Sequence, residues 1–541
     1  MLRSFFSDIP GVQGRTVRQQ YRQPPPLAGL VMLALWVCGM GPVAAQNEEA
    51  LKLPTNRPIL MSVIEQAKAS AAKDYQPDDH GLDEKLKNMD YQPYRSIRFE
   101  ADKALWHGKN DYEVQFFHPG FLYDQPVTIN VVEYDNSQHQ LDFDPAMFRY
   151  EQQAKQYKGL TDKDSGFAGF RVHYPIKSDE YKDEFAVFQG ASYFRLVGKN
   201  QVYGISARGL AIDTGLPKGE EFPSFTHFWL IKPRPGQPIT VYARLESPSV
   251  TGAYKFVLEP GKDTRAQVSA WLFARQDIKK LGIAPFTSMF LYGENTEQRP
   301  DDYRPEVHDS DGVLMINHDG EQIWRPLTNP ARLQITSLAD ARPRGFGMLQ
   351  RDGNFDSYLD AEANYHLRPG LWVTPKAGFE QGRLEVVEIP TDAEIHDNIV
   401  AYWVPEKPLK EGQSRYFSYS LRTVEQEPMH YDKAVVTRTR QGVSHLPGFE
   451  SSEEQTVRRF VVDFTLPSGF NLAVDDLNLI LDVNGGSVKQ ARLLKVNNNK
   501  AIRATFLLLP DTNKPVDMRL FLNHNKQKIS EVWNYVYQPK N

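Results

Sequence analysis

From Tyr94 to the C-terminus, apolar residues fall in short alternating runs separated by turn residues, the period-two pattern of half-buried β-strands. Strands are predicted over Phe116 to Tyr123, Val127 to Val132, Phe167 to Tyr174, Phe185 to Phe188, Tyr193 to Val197, Phe228 to Ile231 and Ile239 to Leu245. Further runs lie at Tyr254 to Leu258, Val268 to Ala274, Arg332 to Thr336, Gly347 to Leu349, Leu384 to Glu388 and Ile399 to Trp403. Pro58 to Lys73 is the best helix in the chain. There Leu60, Val63, Ile64, Ala67 and Ala71 recur on one face behind a proline suited to the first helical turn. So many strands predict an all-β protein with two large facing sheets.

Pro405 to Gly412 is charged, proline-bearing and without apolar period, and reads as a linker at 405–412. It divides a large β-sandwich over 46–404 from a smaller domain over 413–541, the size of an immunoglobulin-like sandwich. In the latter, Leu477, Leu479, Leu481 and Val483 alternate before Asn484-Gly485, a hairpin-turn signal; Ile502, Ala504, Phe506 and Leu508 then alternate again.

The first 45 residues stand apart. An arginine-bearing start precedes an uncharged run from Leu27 to Met40, and Pro42-Val43-Ala44-Ala45 offers small residues for cleavage, so 1–45 reads as a secretory signal peptide. The apolar run is roughly 14 residues, short of the ~20 a spanning helix needs. The sole cysteine, Cys38, lies inside this leader behind Val37, a poor fit to a lipoprotein signal. The mature chain would then be a disulfide-free exported protein held by its core alone. Removing the leader takes the net charge from −5 to −8, because Arg3, Arg15, Arg18 and Arg22 outnumber Asp8 there. A mildly acidic chain without a basic stripe has no basis for binding nucleic acid; a neutral polysaccharide is a compatible partner.

Chemistry concentrates in two acidic stretches. Tyr303-Arg304-Pro305-Glu306-Val307-His308-Asp309-Ser310-Asp311-Gly312 lies between apolar runs, and Glu394-Ile395-His396-Asp397-Asn398 precedes the apolar Ile399 to Trp403. Asp309 and Asp311 would share one face of a strand, or sit on a turn closed by Gly312. An Asx turn is the plainer reading of Asp-Ser-Asp-Gly, and a calcium loop is a rarer alternative because the later carboxylates of an EF-hand are missing. Asp397 stands at the mouth of a buried strand, where desolvation raises a carboxyl toward the range of a general acid. Two carboxylates converging from distant loops are the minimum equipment for glycosidic cleavage.

A third cluster interleaves Arg344, Phe346, Asp352, Asp356, Tyr358, Asp360, Tyr365, Arg368 and Trp372, the mixture of aromatic faces and charged hydrogen-bonding groups that sugar grooves use. Phe346, Tyr365 and Trp372 serve equally well as core. No phosphate loop, nucleophile elbow or His-x-x-x-His pair is present, so no metal and no cofactor is expected.

At these residues the chain resembles the bacterial periplasmic glucan biosynthesis proteins of the G and D types. The resemblance rests on Gly166-Phe167-Ala168-Gly169-Phe170, Gly190-Ala191-Ser192-Tyr193-Phe194-Arg195, Tyr203 to Asp213, Gly252 to Phe256, Tyr303 to Gly312, Trp324-Arg325-Pro326-Leu327 and Asp397-Asn398-Ile399-Val400. Arg304-Pro305-Glu306 and a leader without a twin arginine look more like the G type. The resemblance implies a large carbohydrate-enzyme-like β-sandwich followed by a small immunoglobulin-like one. It implies work on a β-1,2-linked glucose backbone made by a membrane glucosyltransferase, and leaves a homodimer open.

D-type members are similar to inverting endo-β-1,2-glucanases, with a general acid matching Asp397 and a general base matching Asp309. Substrate-binding or proton-relay roles are then expected for Glu394, His396, Asp311, Arg344, Tyr358, Asp360, Tyr365 and Trp372. The family's acid loop usually reads Glu-Thr-x-Asp-Asn; here Ile395 replaces the threonine and cannot pass a proton, so if the threonine belongs to the relay, either this protein is slow or His396 contributes. The other functions compatible with the resemblance are a non-catalytic glucan-binding or release factor and a branching transferase.

Overall fold

A computed structural model of the chain describes residues 57–77, 81–297, 299–425, 432–443, 457–470, 472–496, 500–511 and 513–539. The expected signal peptide, 1–45, lies outside the described residues.

Alternation along the chain becomes two large sheets packed face to face. The ten-stranded sheet carries the strands Gly169–Ser178, Tyr181–Gln189, Leu281–Ser288, Gln381–Glu388 and Ile399–Pro405. The fifteen-stranded sheet carries, among others, Ser224–Ile231, Ile239–Glu246, Val250–Glu259, Arg265–Ala274, Ser414–Val424 and Gly370–Ala377 as neighbours. Their inner faces meet in one core in which Phe188, Phe228, Tyr254, Phe256, Leu272 and Trp403 are buried. Aromatic rings supply much of its volume: Phe188 stacks on Phe170 at 5.0 Å and meets Phe256 edge-on at 5.2 Å. The architecture is all-β, as the sequence pattern requires.

The predicted helix is present as Pro58–Ala71. Its apolar face, Leu60, Val63, Ile64 and Ala67, covers the outer side of the fifteen-stranded sheet over Trp229, Tyr242, Trp271 and Phe273. The strand expected over Phe116 to Tyr123 ends at Phe116, because Gly120 adopts φ +141° and turns the chain back onto Tyr123.

The linker expected at 405–412 is a correction. The chain turns there from Ile399–Pro405 into Ser414–Val424, and that strand pairs on both sides with Arg265–Ala274 and Gly370–Ala377 in the middle of the large sheet. Charge and proline marked a surface turn, not a domain boundary. The smaller sandwich begins beyond Val424. Its four-stranded sheet, Val435–Val443, Arg458–Thr465, Ala501–Pro510 and Gly486–Val496, faces Asn478–Asn484, Val516–His524 and Val532–Tyr537 across a core of Phe460, Phe506, Met518, Leu520 and Trp533.

Val532–Tyr537 also pairs in parallel with Gln322–Pro326, so the small sandwich is continuous with the large sheet. Asn484-Gly485 is a turn, with Gly485 at φ +94°, but not a hairpin: the strands on either side pair in different sheets.

Candidate active site

The two acidic stretches meet because both are tied to one short strand, Phe290–Tyr292. Val307–His308 pairs with it, Phe290 opposite His308, and the Asp309 N–H donates to Met289 O at 2.8 Å. On the other side Asn398, 2% exposed, closes three bonds with its amide. Its Oδ1 accepts from Phe290 N at 2.8 Å, and its Nδ2 donates to Phe290 O at 3.1 Å and Ile389 O at 2.9 Å. Asp397 precedes this clamp and Asp309 follows the paired strand. The Asp309 charge is close enough to be felt at the Asp397 carboxyl.

Their surroundings differ. Asp309 is 4% exposed and forms an ion pair with Arg368. Burial raises its carboxyl above the usual range, while the Arg368 guanidinium pulls it back. Asp397 accepts no side-chain hydrogen bond among the described residues. Burial raises it, Arg195 opposes that, and the Asp309 charge raises it further. Arg208, fully buried against Glu220 at 2.5 Å and sandwiched between Tyr193 and Phe222, adds a more distant positive charge.

Arg304 ties the loops around this centre. It reaches Asp302 at 2.8 Å, Asp360 at 3.0 Å and Glu394 at 2.8 Å, three carboxylates from three parts of the chain. Tyr365 donates its hydroxyl to the same Glu394 oxygen at 3.4 Å, and Arg368 lies 4.1 Å over the Tyr365 ring. Glu394, Asp360 and Tyr365 are therefore held together by Arg304 and Arg368 as a frame around Asp309.

Other expected site residues lie elsewhere. Val307–His308 ends before Asp309, so Asp309 and Asp311 sit on a turn and point apart. Asp311 accepts the backbone N–H groups of Arg351 and, at 2.9 Å, Asp352. Tyr358 is fully buried; its hydroxyl donates to Asp352 O at 2.9 Å, so it packs the centre from behind and offers no surface to a sugar. His396 bonds Thr391 Oγ1 at 2.9 Å within its own loop. Ile395 is 67% exposed. Arg344 and Trp372 are not near the carboxylates: Arg344 donates to His318 O at 3.0 Å, and the Trp372 indole packs with Leu314, Ile316 and Leu349.

Sequence reasoning gave no site role to Arg304, Arg195 or Arg208, and placed Arg368 only in the aromatic cluster, not beside Asp309. Arg304 and Arg368 stood in acidic, aromatic company that signals them; Arg195 and Arg208, in ordinary strands, carried no local signal.

Behind Asp309, Glu306, His308 and Asp311 hold three ligand-type atoms within 4.8 Å of one another. The His308 Nδ1–H donates to Gln350 Oε1 at 3.1 Å, and Nε2 faces Glu306 at 3.0 Å. Burial alone would lower the imidazole, but the Glu306 bond and the Asp311 charge push it up to about 9. It is a buried ion pair that stiffens the turn carrying Asp309.

Comparison with known proteins assigns the chain. Residues 60–537 match the family model described as periplasmic glucan biosynthesis protein, MdoG. A glucans biosynthesis protein G from Ralstonia nicotianae is 44% identical over 89% of this chain and 96% of its own length. One from Vibrio cholerae is 41% identical over 88% of this chain and 86% of its own. A probable glucans biosynthesis protein D from Shewanella oneidensis is 38% identical over 94% and 93%. The chain belongs to the periplasmic glucan biosynthesis protein family and takes part in glucan biosynthesis.

Proposed function

We propose that this protein cleaves β-1,2-linked glucan internally with inversion, with Asp397 as general acid and Asp309 as general base. What supports the reading is the asymmetry between the buried Asp309 carboxyl and the partly exposed Asp397 carboxyl. Desolvation raises both carboxyls; at Asp309 a guanidinium directly on it pulls it back toward the charged form, whereas Asp397 has no ion pair and, against Arg195, also feels the Asp309 charge, which favours the protonated form.

In the reaction Asp397 gives its proton to the glycosidic oxygen as the bond from that oxygen to the anomeric carbon breaks. A water attacks the anomeric carbon from the opposite face, and its proton passes to Asp309. The products are two shorter glucans, one with a new reducing end. Proton return from Asp309 to Asp397 resets the pair. The glucan is that made by a membrane glucosyltransferase, met in the periplasm after cleavage of residues 1–45.

The test is release of reducing ends from linear β-1,2-glucan by wild type and Asp397→Asn. The amide keeps the shape and cannot donate the proton, so cleavage should vanish while folding is kept. Equal rates in the two proteins would refute the assignment, and a mature N-terminus upstream of residue 46 would refute the processing.

A further inference from the structure

Arg344 and Trp372, absent from the carboxylate centre, meet at a different place. The helix Pro58–Ala71 covers one end of the outer face of the fifteen-stranded sheet, and the small sandwich covers the other. Between them lies an open groove of about 880 Å³, the size of an oligosaccharide site. It crosses six adjacent strands, from Arg265–Ala274 through Ser414–Val424, Gly370–Ala377, Gly345–Leu349 and Gly312–Ile316 to Gln322–Pro326. At ~4.8 Å per strand that is roughly 24 Å, a length that suits a chain rather than a small molecule.

Strand register explains the lining. Gln267 is opposite Ser420, and Ser420 is opposite Thr374, giving a row of amide and hydroxyl groups; Ile316 opposite Gln322 continues it. In the next row Arg265 is opposite Arg422, which is opposite Trp372. Trp372 is only 5% exposed and lies against Gly345, where a side chain would collide with the indole, so it forms floor rather than a stacking platform.

Two arginines directly opposite across strands cost stability. Arg422 has Asp263 at 3.6 Å, and Arg265 has no ion pair among the described residues. With Arg344 and Lys433 the groove presents four cations against Asp319 and Asp432 in its lining and Asp263 beside Arg422, an excess of one. Such a charge excess, beside groups that bond hydroxyls, suits a sugar chain carrying negative charge. A peptide strand would instead need an open sheet edge, and the floor here is the sheet's face.

We infer that this groove is a second glucan-binding site, apart from the carboxylates, which holds a glucan bearing anionic substituents across the strands. It rests on the proposed function only in taking glucan as the ligand. The site would let the protein keep hold of one part of a chain while another part lies at Asp309 and Asp397.

The experiment measures binding of end-labelled linear β-1,2-glucan, unmodified and chemically succinylated, in the Asp397→Asn background. Arg265→Ala/Arg422→Ala should weaken the succinylated glucan at least tenfold and the unmodified one less than twofold. Thr374→Trp, an exposed strand position, should obstruct both. Cleavage of short unmodified glucan by otherwise wild-type protein should be unchanged in either groove variant. Succinylated glucan bound within twofold of the parent by both variants overturns the inference, even if cleavage depends on Asp397. Groove-dependent binding in a protein that cleaves nothing supports the inference and overturns the proposed reaction.

Discussion

Asn398 is the most exposing single test of how the two carboxyls are held together. Its side chain closes three bonds to the backbone of Phe290 and Ile389 in a site 2% exposed. Asn398→Ala removes all three partners and admits no obvious replacement. At ~1 kcal/mol per buried group left without its bond, the loss is about 3 kcal/mol. The backbone bond from Ile389 N to Asn398 O, 2.9 Å, survives, so the loop should loosen rather than detach. Asp397 is the adjacent residue, and a misplacement of about 1 Å at a reacting group costs on the order of a hundredfold in rate.

Asn398→Asp separates shape from chemistry. One oxygen can still accept from Phe290 N, but the other then faces two carbonyl oxygens and fits only when protonated. Its folded pKa must therefore rise above the unfolded value of ~3.9. The unfolded state then gives up its proton first, so this variant is most stable below about pH 4. Its stability falls as pH rises through the folded pKa. Urea unfolding followed by tryptophan fluorescence at pH 4 and pH 7, with initial rates of glucan cleavage, measures both effects. An Asn398→Ala protein with wild-type stability and rate would refute the clamp. An Asn398→Asp protein no weaker at pH 7 than at pH 4 would refute the account of its geometry.

Other outcomes follow from the same contacts. Arg368→Met removes the cation that opposes burial at Asp309, so the carboxyl rises further and the low-pH limb of kcat/KM moves to higher pH; an unmoved limb would exclude Asp309 as the base. Ile395→Thr, at a side chain 67% exposed, should change stability by no more than about 0.5 kcal/mol and raise the cleavage rate if the relay needs a hydroxyl there, read from initial rates. His308, held up to about 9, stabilises the fold fully below its unfolded value of ~6.5 and loses that contribution as pH rises through about 9. Unfolding midpoints from pH 6 to 10 should fall more steeply for wild type than for His308→Gln.

What was legible in the sequence was whatever depends on near neighbours. Alternation is a property of five or six consecutive residues, so many of the large strands were visible, though not Leu281–Ser288, Gly370–Ala377, Ser414–Val424, Val435–Val443, Arg458–Thr465 or Gly486–Val496, and Pro58 with its apolar stripe marked the helix. Partnership across the fold has no such trace. Arg304 and Glu394 are 90 positions apart, and Arg368 and Asp309 are 59 apart. Only folding around Phe290 makes them neighbours. Local signals also misled where they have two causes. Proline and charge at Pro405 to Gly412 mark any exposed turn, and only the pairing of Ser414–Val424 reveals that the sheet continues. An aromatic beside arginines at Trp372 fits a groove or a core, and strand register makes it the floor between the two.

Asp309 and Asp311 show why spacing needs its element. Two residues apart on a strand they would face the same side. The pairing stops at His308 and resumes at Gly312, so the alternation is broken between them. One carboxyl turns to Arg368 and the other to the backbone of Arg351 and Asp352. A lone strand could not have presented one acid to the centre while using its neighbour to anchor the turn. The division of labour comes from where the ladder ends, and the end is set by Phe290, whose two sides hold Asn398 and His308.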